Sequence, residues 1–204
     1  MSVDMTGKNV IVTGAGGGIG RATCIKLAES GANLVLVDRD EALANATKDA
    51  VDALGVASIV VLADVTNEDD VKNYVDVAVK TFGTIDGFFN NAGIEGRVQL
   101  MHELSYADWK KVIDVNLNGV FLGMRYVVPV MRKQKSGSIV CTGSIASFLG
   151  LPTTIGYNAA KHAVAGIVRT VATEEAKNGI RVNGVAPGFI NTRMFQDIAD
   201  ILLP

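Results

Sequence analysis

The sequence has little with which to staple itself or hold a metal. It contains two cysteines, Cys24 and Cys141, and two histidines, His102 and His162, none of them at a ligand or redox spacing from another. That excludes a disulfide framework, offers no support for a metal site, and reads both thiols as reduced core residues. Charge of one sign is also lacking: 19 basic against 21 acidic side chains leave a formal charge of -2, so no global field favours nucleic acid or an anionic membrane. Met1 to Lys8 has no apolar core of the kind a secretory signal needs. Ser136 to Ala160 is free of charge, yet half of it is Ser, Thr, Gly, Asn or Pro. A lipid-exposed helix would have to hide that polar content, so the stretch reads as a buried strand followed by a functional loop. These absences point to a cytoplasmic protein with a small-molecule partner.

What is present is a core. With 49% hydrophobic residues in 204, the chain suits one domain spanning residues 1–204. Short apolar runs recur at Val10–Val12, Leu34–Val37, Ile59–Leu62, Phe88–Phe89, Ile139–Cys141 and Val185–Ala186. Unbroken runs of this kind suit strands covered on both faces. Between them lie segments of helical length, including Ile19 to Ser30 and a long one from Ser105 to Lys135, opened by Ser105 with Asp108 three residues later. The alternation implies an α/β fold, a doubly wound parallel sheet of the Rossmann type with helices on both faces. The basic cluster Arg132-Lys133-Gln134-Lys135 falls at a helix C-terminus and reads as solvated surface.

The first strand leads into Thr13-Gly14-Ala15-Gly16-Gly17-Gly18-Ile19-Gly20. A glycine-rich turn between a first strand and a first helix lets a pyrophosphate approach backbone amides at the helix's positive end. Asp38 ends the second strand, where a carboxylate can accept the adenosine-ribose hydroxyls; a helix N-cap is the competing role. Tyr157 and Lys161, four apart, share a helix face that continues through Val164, Val168 and Val171. A lysine heading an apolar stripe either meets an anionic or hydroxyl-rich group or snorkels out of it. Asn116 similarly interrupts the stripe of Trp109, Ile113 and Val120, and could simply satisfy a backbone group.

Together these residues resemble the short-chain dehydrogenase/reductase family. Its Thr-Gly-x-x-x-Gly-x-Gly pattern matches Thr13, Gly14, Gly18 and Gly20, and its Asn-Asn-Ala-Gly element matches Asn90-Asn91-Ala92-Gly93. Its adenine-contacting pair matches Asp64-Val65, and the segment holding the nicotinamide carboxamide matches Pro187-Gly188-Phe189-Ile190-Asn191-Thr192. The catalytic set implied by the resemblance is Asn116, Ser144, Tyr157 and Lys161. The cofactor set is Gly14, Gly18, Ile19, Gly20, Asp38, Arg39, Asp64, Val65, Asn91, Ala92, Gly93, Tyr157, Lys161, Pro187, Gly188, Ile190 and Thr192.

The expected activity is hydride transfer between NAD and a secondary alcohol or ketone, with Tyr157 as general acid/base. A phenol of pKa ~10 would have to move by about three units, roughly 4 kcal/mol, to act as a base near pH 7, and the Lys161 charge is the expected source. By resemblance, Asn116 relays protons through a water toward Lys161. Glu95, Gly96, Ile145, Phe148, Leu149, Leu151 and Phe189 are the residues expected to face an apolar substrate. The alternatives are an NADPH-linked carbonyl reductase, for which Arg39 speaks, and a non-catalytic dinucleotide-binding protein. Ala159, Ala160, Ala163 and Gly166 suit close packing in a homo-oligomer, or equally packing onto the sheet. Family members of this type continue beyond the Pro-Gly segment, so the sequence closing at Ile201-Leu202-Leu203-Pro204 is expected to lack a C-terminal portion, to leave the strand around Val182 to Ala186 as an open edge, and to turn over poorly.

Overall fold

Valine, isoleucine and leucine dominate six short strands, and their burial decides where each one lies. In the computed structural model, which describes residues 3–196, these are β1 (Asn9–Thr13), β2 (Asn33–Asp38), β3 (Ser58–Leu62), β4 (Gly87–Asn90), β5 (Gly137–Thr142) and β6 (Ile180–Val185). β1 is buried at every position, and Leu34 to Val37 of β2 likewise, as the unbroken apolar runs require for central strands. All pairings are parallel, in the order β3-β2-β1-β4-β5-β6. The order reverses direction between β1 and β4, and a crevice at the carboxyl ends of strands opens at such a switch point.

The helices are α1 (Gly18–Glu29), α2 (Glu41–Asp52), α3 (Glu68–Phe82), α4 (Tyr106–Ile113), α5 (Gly119–Gln134) and α6 (Ile155–Glu175). Two separate apolar clusters flank the sheet. One gathers Ile11, Phe88, Ile139, Tyr74, Met124 and Val164 beneath α3, α5 and α6; the other gathers Val12, Leu34, Leu36 and Cys24 beneath α1. Both cysteines are buried and free. No helix among the described residues is long and apolar enough to cross a membrane.

Three expectations need correction. The segment expected as one helix from Ser105 to Lys135 is α4 and α5 joined by a π-helical turn, Asp114–Asn118. Such a turn widens the helix by one residue and commonly sits at a functional position. The cluster at the end of α5 is exposed at Arg132, Lys133 and Lys135, as expected, but Arg132 and Gln134 also make long-range bonds that the expectation did not include. Arg132 Nε donates to Glu175 Oε2 at 2.7 Å, with a second guanidinium bond to Glu175, and the Gln134 side chain brackets both main-chain groups of Ile85 at 2.9 Å. Finally, β6 stops at Val185, ahead of Ala186; with β3 it is one of the sheet's two edge strands among the described residues. The four closing residues, Ile201 to Pro204, lie outside the described residues.

Candidate active site

The strand–turn–helix at the end of β1 is shaped by glycines that no other residue could replace without strain. Gly14 and Gly18 have φ of +66° and +51°, a region that residues with a Cβ rarely adopt. A Cβ on Gly14 would stand 3.1 Å from the Ala92 Cα, and one on Gly20 would stand 1.9 Å from the Gly14 carbonyl oxygen. Gly20 therefore packs α1 onto the turn and does not line the cleft, while Gly14, Gly17, Gly18 and Ile19 do. The N-cap of α1 is Gly17, with no side-chain cap and no acidic residue in the first turn. The positive end of α1 thus faces the cleft with its amides available to an anion.

Asp38 lies at the carboxyl end of β2. Its Oδ2 accepts the Gly16 amide at 2.8 Å and its Oδ1 the Asp40 amide at 3.0 Å. The helix-capping role belongs instead to Asp40, which accepts the Leu43 amide at 3.0 Å. Asp38, exposed Arg39, Asp64, Val65, Ala92 and Gly93 surround a cavity of about 210 Å³. Gly14, Ala92 and Gly93 are shared with a second cavity of about 460 Å³.

Ser144, Tyr157 and Lys161 meet in that larger cavity with Asn91, Glu95, Leu151 and the segment Pro187 to Thr192. Its floor is a polar stitch across three strands. Thr13 Oγ1 accepts the amides of Asn91 and Ala92 at 2.9 and 3.1 Å; the Asn91 amide donates to the Thr13 carbonyl at 3.0 Å; and Thr142 donates to Asn91 Oδ1 at 3.0 Å. Ser144 caps a single 3₁₀ turn, its Oγ accepting the Ala146 amide at 3.1 Å. Ser147 closes the box by accepting the Ser144 amide at 3.2 Å and donates to the Lys161 carbonyl at 2.8 Å, so the serine loop is fastened to α6.

Lys161 is 3% exposed. It neither snorkels nor meets a carboxylate: Nζ donates to the Thr142 carbonyl at 2.7 Å and lies 5.5 Å from the centre of the Tyr157 ring. Burial pushes its pKa down to about 8. The Tyr157 phenol moves up, chiefly through burial, opposed by the Ser144 hydroxyl and reinforced by the Glu95 carboxylate. The expected depression of Tyr157 by Lys161 is thus reversed in the protein alone, because desolvation dominates.

Asn116 sits in the π turn and is fully buried. Its Oδ1 accepts the Ile94 amide at 2.8 Å and its Nδ2 donates to the Ile94 carbonyl at 2.6 Å. It does not line the cleft; it clamps the chain that leaves Gly93. Of the substrate-facing set, Glu95, Ile145, Leu151 and Phe189 line the cavity. Phe148 and Leu149 are exposed away from it, and Gly96 packs on Val112. Sequence reasoning missed Thr142, Ser147 and Asn158. Only Ser147, three residues after Ser144, carried a readable signal, that of a capping box.

Residues 8–201 match the family model for short chain dehydrogenase. The chain belongs to the short-chain dehydrogenase family. It is 44% identical to levodione reductase of Leifsonia aquatica over 94% of this chain and 73% of that protein. It is 42% identical to cyclohexanol dehydrogenase of Acinetobacter sp. strain SE19 over 98% of this chain and 80% of that protein. The crystal structure of levodione reductase superposes with a TM-score of 0.95 at 43% identity, covering 98% of this chain and 78% of that one. That of NAD+-bound xylitol dehydrogenase gives 0.89 at 36% identity, covering 91% and 71%.

Proposed function

We propose that this short-chain dehydrogenase interconverts a secondary alcohol and its ketone with NAD as the hydride partner and Tyr157 as the proton donor and acceptor. The observation that carries the reading is the convergence of Ser144, Tyr157 and Lys161 in one cleft that also contains the uncapped start of α1. The left-handed glycines and the fixed Asp38 carboxylate fit a dinucleotide. Asp38, Asp64 and Val65 would hold its adenosine half, the amides at Gly18 and Ile19 its pyrophosphate, and Pro187, Gly188, Ile190 and Thr192 its carboxamide end. When bound, the nicotinamide supplies or accepts the hydride that the carbinol carbon gains or loses.

The chain's own residues handle the proton. Ser144 hydrogen-bonds the substrate oxygen, and Tyr157 takes the hydroxyl proton during oxidation or returns it during reduction. Lys161, anchored on β5, presents a cation to the ribose hydroxyls and to the phenol. Asn116 supports the site by holding Ile94; the water relay implied by resemblance would run through the same neighbourhood.

NAD is favoured over NADP because Asp38 is fixed by two amides, and a 2′-phosphate beside that carboxylate would be repelled by a few kcal/mol before screening. Arg39 lines the same cavity and supports NADPH as the second reading. The names of the similar proteins, levodione reductase and cyclohexanol dehydrogenase, support a cyclic substrate, as does the apolar lining from Ile145, Leu151 and Phe189. A cytoplasmic setting and homo-oligomerisation complete the reading, the latter resting on exposed Phe121 of α5 and Gly166 of α6. The test is initial rates with NAD(H) and NADP(H) against cyclohexanol and cyclohexanone. Turnover led by NAD(H) is expected; dinucleotide binding without turnover of any alcohol or ketone would overturn the enzymatic reading.

A further inference from the structure

Asn158, next to Tyr157 on the first turn of α6, makes bonds that catalysis does not require. Its side chain is buried, with 7% of the residue exposed. Oδ1 accepts the Leu151 amide at 3.1 Å, and Nδ2 donates to the Leu151 and Thr154 carbonyls, each at 3.0 Å, and to Thr154 Oγ1 at 2.6 Å. Thr154 Oγ1 in turn donates to the Leu151 carbonyl at 3.1 Å. One amide thus brackets both ends of a four-residue turn, of which Leu151, Pro152 and Thr154 line the substrate cleft.

The turn it brackets is strained. Thr153 has φ of +66°, a conformation that is unfavourable for a β-branched residue and persists only where the surroundings impose it. The consequence is visible across the cleft: in this conformation the Thr153 carbonyl accepts the Gln99 amide at 2.8 Å, tying the turn to the chain that leaves β4 through Glu95. The two walls of the substrate cleft are therefore joined through a residue held in an unfavourable conformation.

We infer that Asn158 is a positioning residue that fixes the 151–154 turn as a rigid wall, so that the cleft selects compact cyclic substrates over flexible acyclic ones. It touches no reacting atom. Its effect passes through Leu151 and Thr154, and it shares a helical turn with Tyr157, so wall and acid/base are set in one frame. Buried amides satisfied at every atom specify a single arrangement, whereas removing this one leaves the Leu151 amide without its acceptor and takes one of two donors from each of the Leu151 and Thr154 carbonyls. The inference rests on the proposed alcohol–ketone reading for its kinetic consequence, but the clamp itself is testable without turnover.

Two measurements separate these levels. Amide hydrogen exchange on the whole chain should show the Leu151 and Gln99 amides exchanging at least about tenfold faster in Asn158→Ala, with β1, β4 and β5 still protected. Thr154→Val, which replaces the hydroxyl with a methyl group, should move the same amides less. If either variant folds with those amides protected as in the parent, the clamp is refuted. In kinetics, Asn158→Ala should raise the KM for cyclohexanone about tenfold and that for the open-chain six-carbon ketone 2-hexanone no more than about twofold, leaving the KM for the nicotinamide cofactor within about twofold. Equal changes for both ketones would overturn the selectivity claim. Absence of turnover in the parent would instead refute the proposed function, and exchange would still decide the clamp.

Discussion

Lys161 donates from Nζ to the Thr142 carbonyl at 2.7 Å, so this buried ammonium is anchored on the backbone of β5. One backbone bond does not replace the lost hydration, and the pKa falls from its ordinary 10.5 to about 8. A shift of that size corresponds to a cost on the order of 3 kcal/mol for holding the charge inside. Function here is carried by a group that weakens the fold. Between pH 8 and 10.5 the unfolded chain keeps the lysine proton while the folded one sheds it, so this cost is relieved as pH rises. Lys161→Met should abolish turnover and weaken NAD binding. In chemical denaturation, the stability of the parent relative to this variant should improve from pH 8 to 10.5; a constant gap would contradict the burial argument.

Burial and the Glu95 carboxylate both push the Tyr157 phenol upward. At neutral pH the phenol therefore keeps its proton, the form needed to donate to a ketone, and alcohol oxidation should gain up to tenfold in kcat/KM per pH unit above neutrality. Glu95→Gln removes a raising charge and should move the oxidation profile toward lower pH. An unmoved profile would show that Glu95 does not act on the phenol.

Tyr157→Phe removes only the proton carrier. Turnover should fall by at least about 100-fold, while NADH affinity by fluorescence titration changes less than about twofold. Retention of more than about a tenth of parental kcat would exclude Tyr157 as the acid/base.

The strands and the cofactor turn were legible because their chemistry is local. A strand buried on both faces must be apolar throughout, as β1 is, and a left-handed turn beside a strand end needs glycine, as at Gly14 and Gly18. Ser144, Tyr157 and Lys161 were legible by resemblance, and the structure gathers them in one cleft. What escaped depends on distant partners. Arg132 at a helix end looks solvated until Glu175, 43 residues on, is brought against it. The π turn breaks the helical period by one residue inside an otherwise continuous pattern, and Asn116 acquires its role only because Ile94 folds over it. The direction of the Tyr157 shift needed the burial of the whole site, which no spacing encodes.

Cofactor preference should reside in Asp38. Asp38→Ser removes the charge while keeping a small polar group, and should bring kcat/KM for NADP within about tenfold of that for NAD. The Gly16 amide would lose its acceptor, so some loss with NAD is expected too. Parent enzyme that uses NADPH as well as NADH would assign the cavity to Arg39 instead.

The last prediction concerns the Arg132–Glu175 pair between α5 and α6. The Glu175 side chain is 2% exposed and that of Arg132 is 52% exposed, so the carboxylate carries the burial and the guanidinium reaches it from solvent. The Arg132 hydrogen bonds are the largest influence holding the Glu175 pKa below its ordinary 4.5, with Asn178 adding a 2.8 Å bond. Arg132→Ala leaves the Glu175 carboxylate without its charged partner and should destabilise the fold, read as a lower denaturant midpoint. Glu175→Gln should cost less, because a neutral amide can stay buried and still accept from Arg132 and Asn178. A depressed carboxylate contributes stability that is complete above its unfolded pKa and is lost as pH falls through the folded one. The parent should therefore lose stability relative to Glu175→Gln as pH drops below about 4.5, and Arg132→Ala should flatten that dependence. Parallel acid profiles for the parent and Glu175→Gln would show that the pair contributes nothing to the packing of the α5 and α6 C-termini.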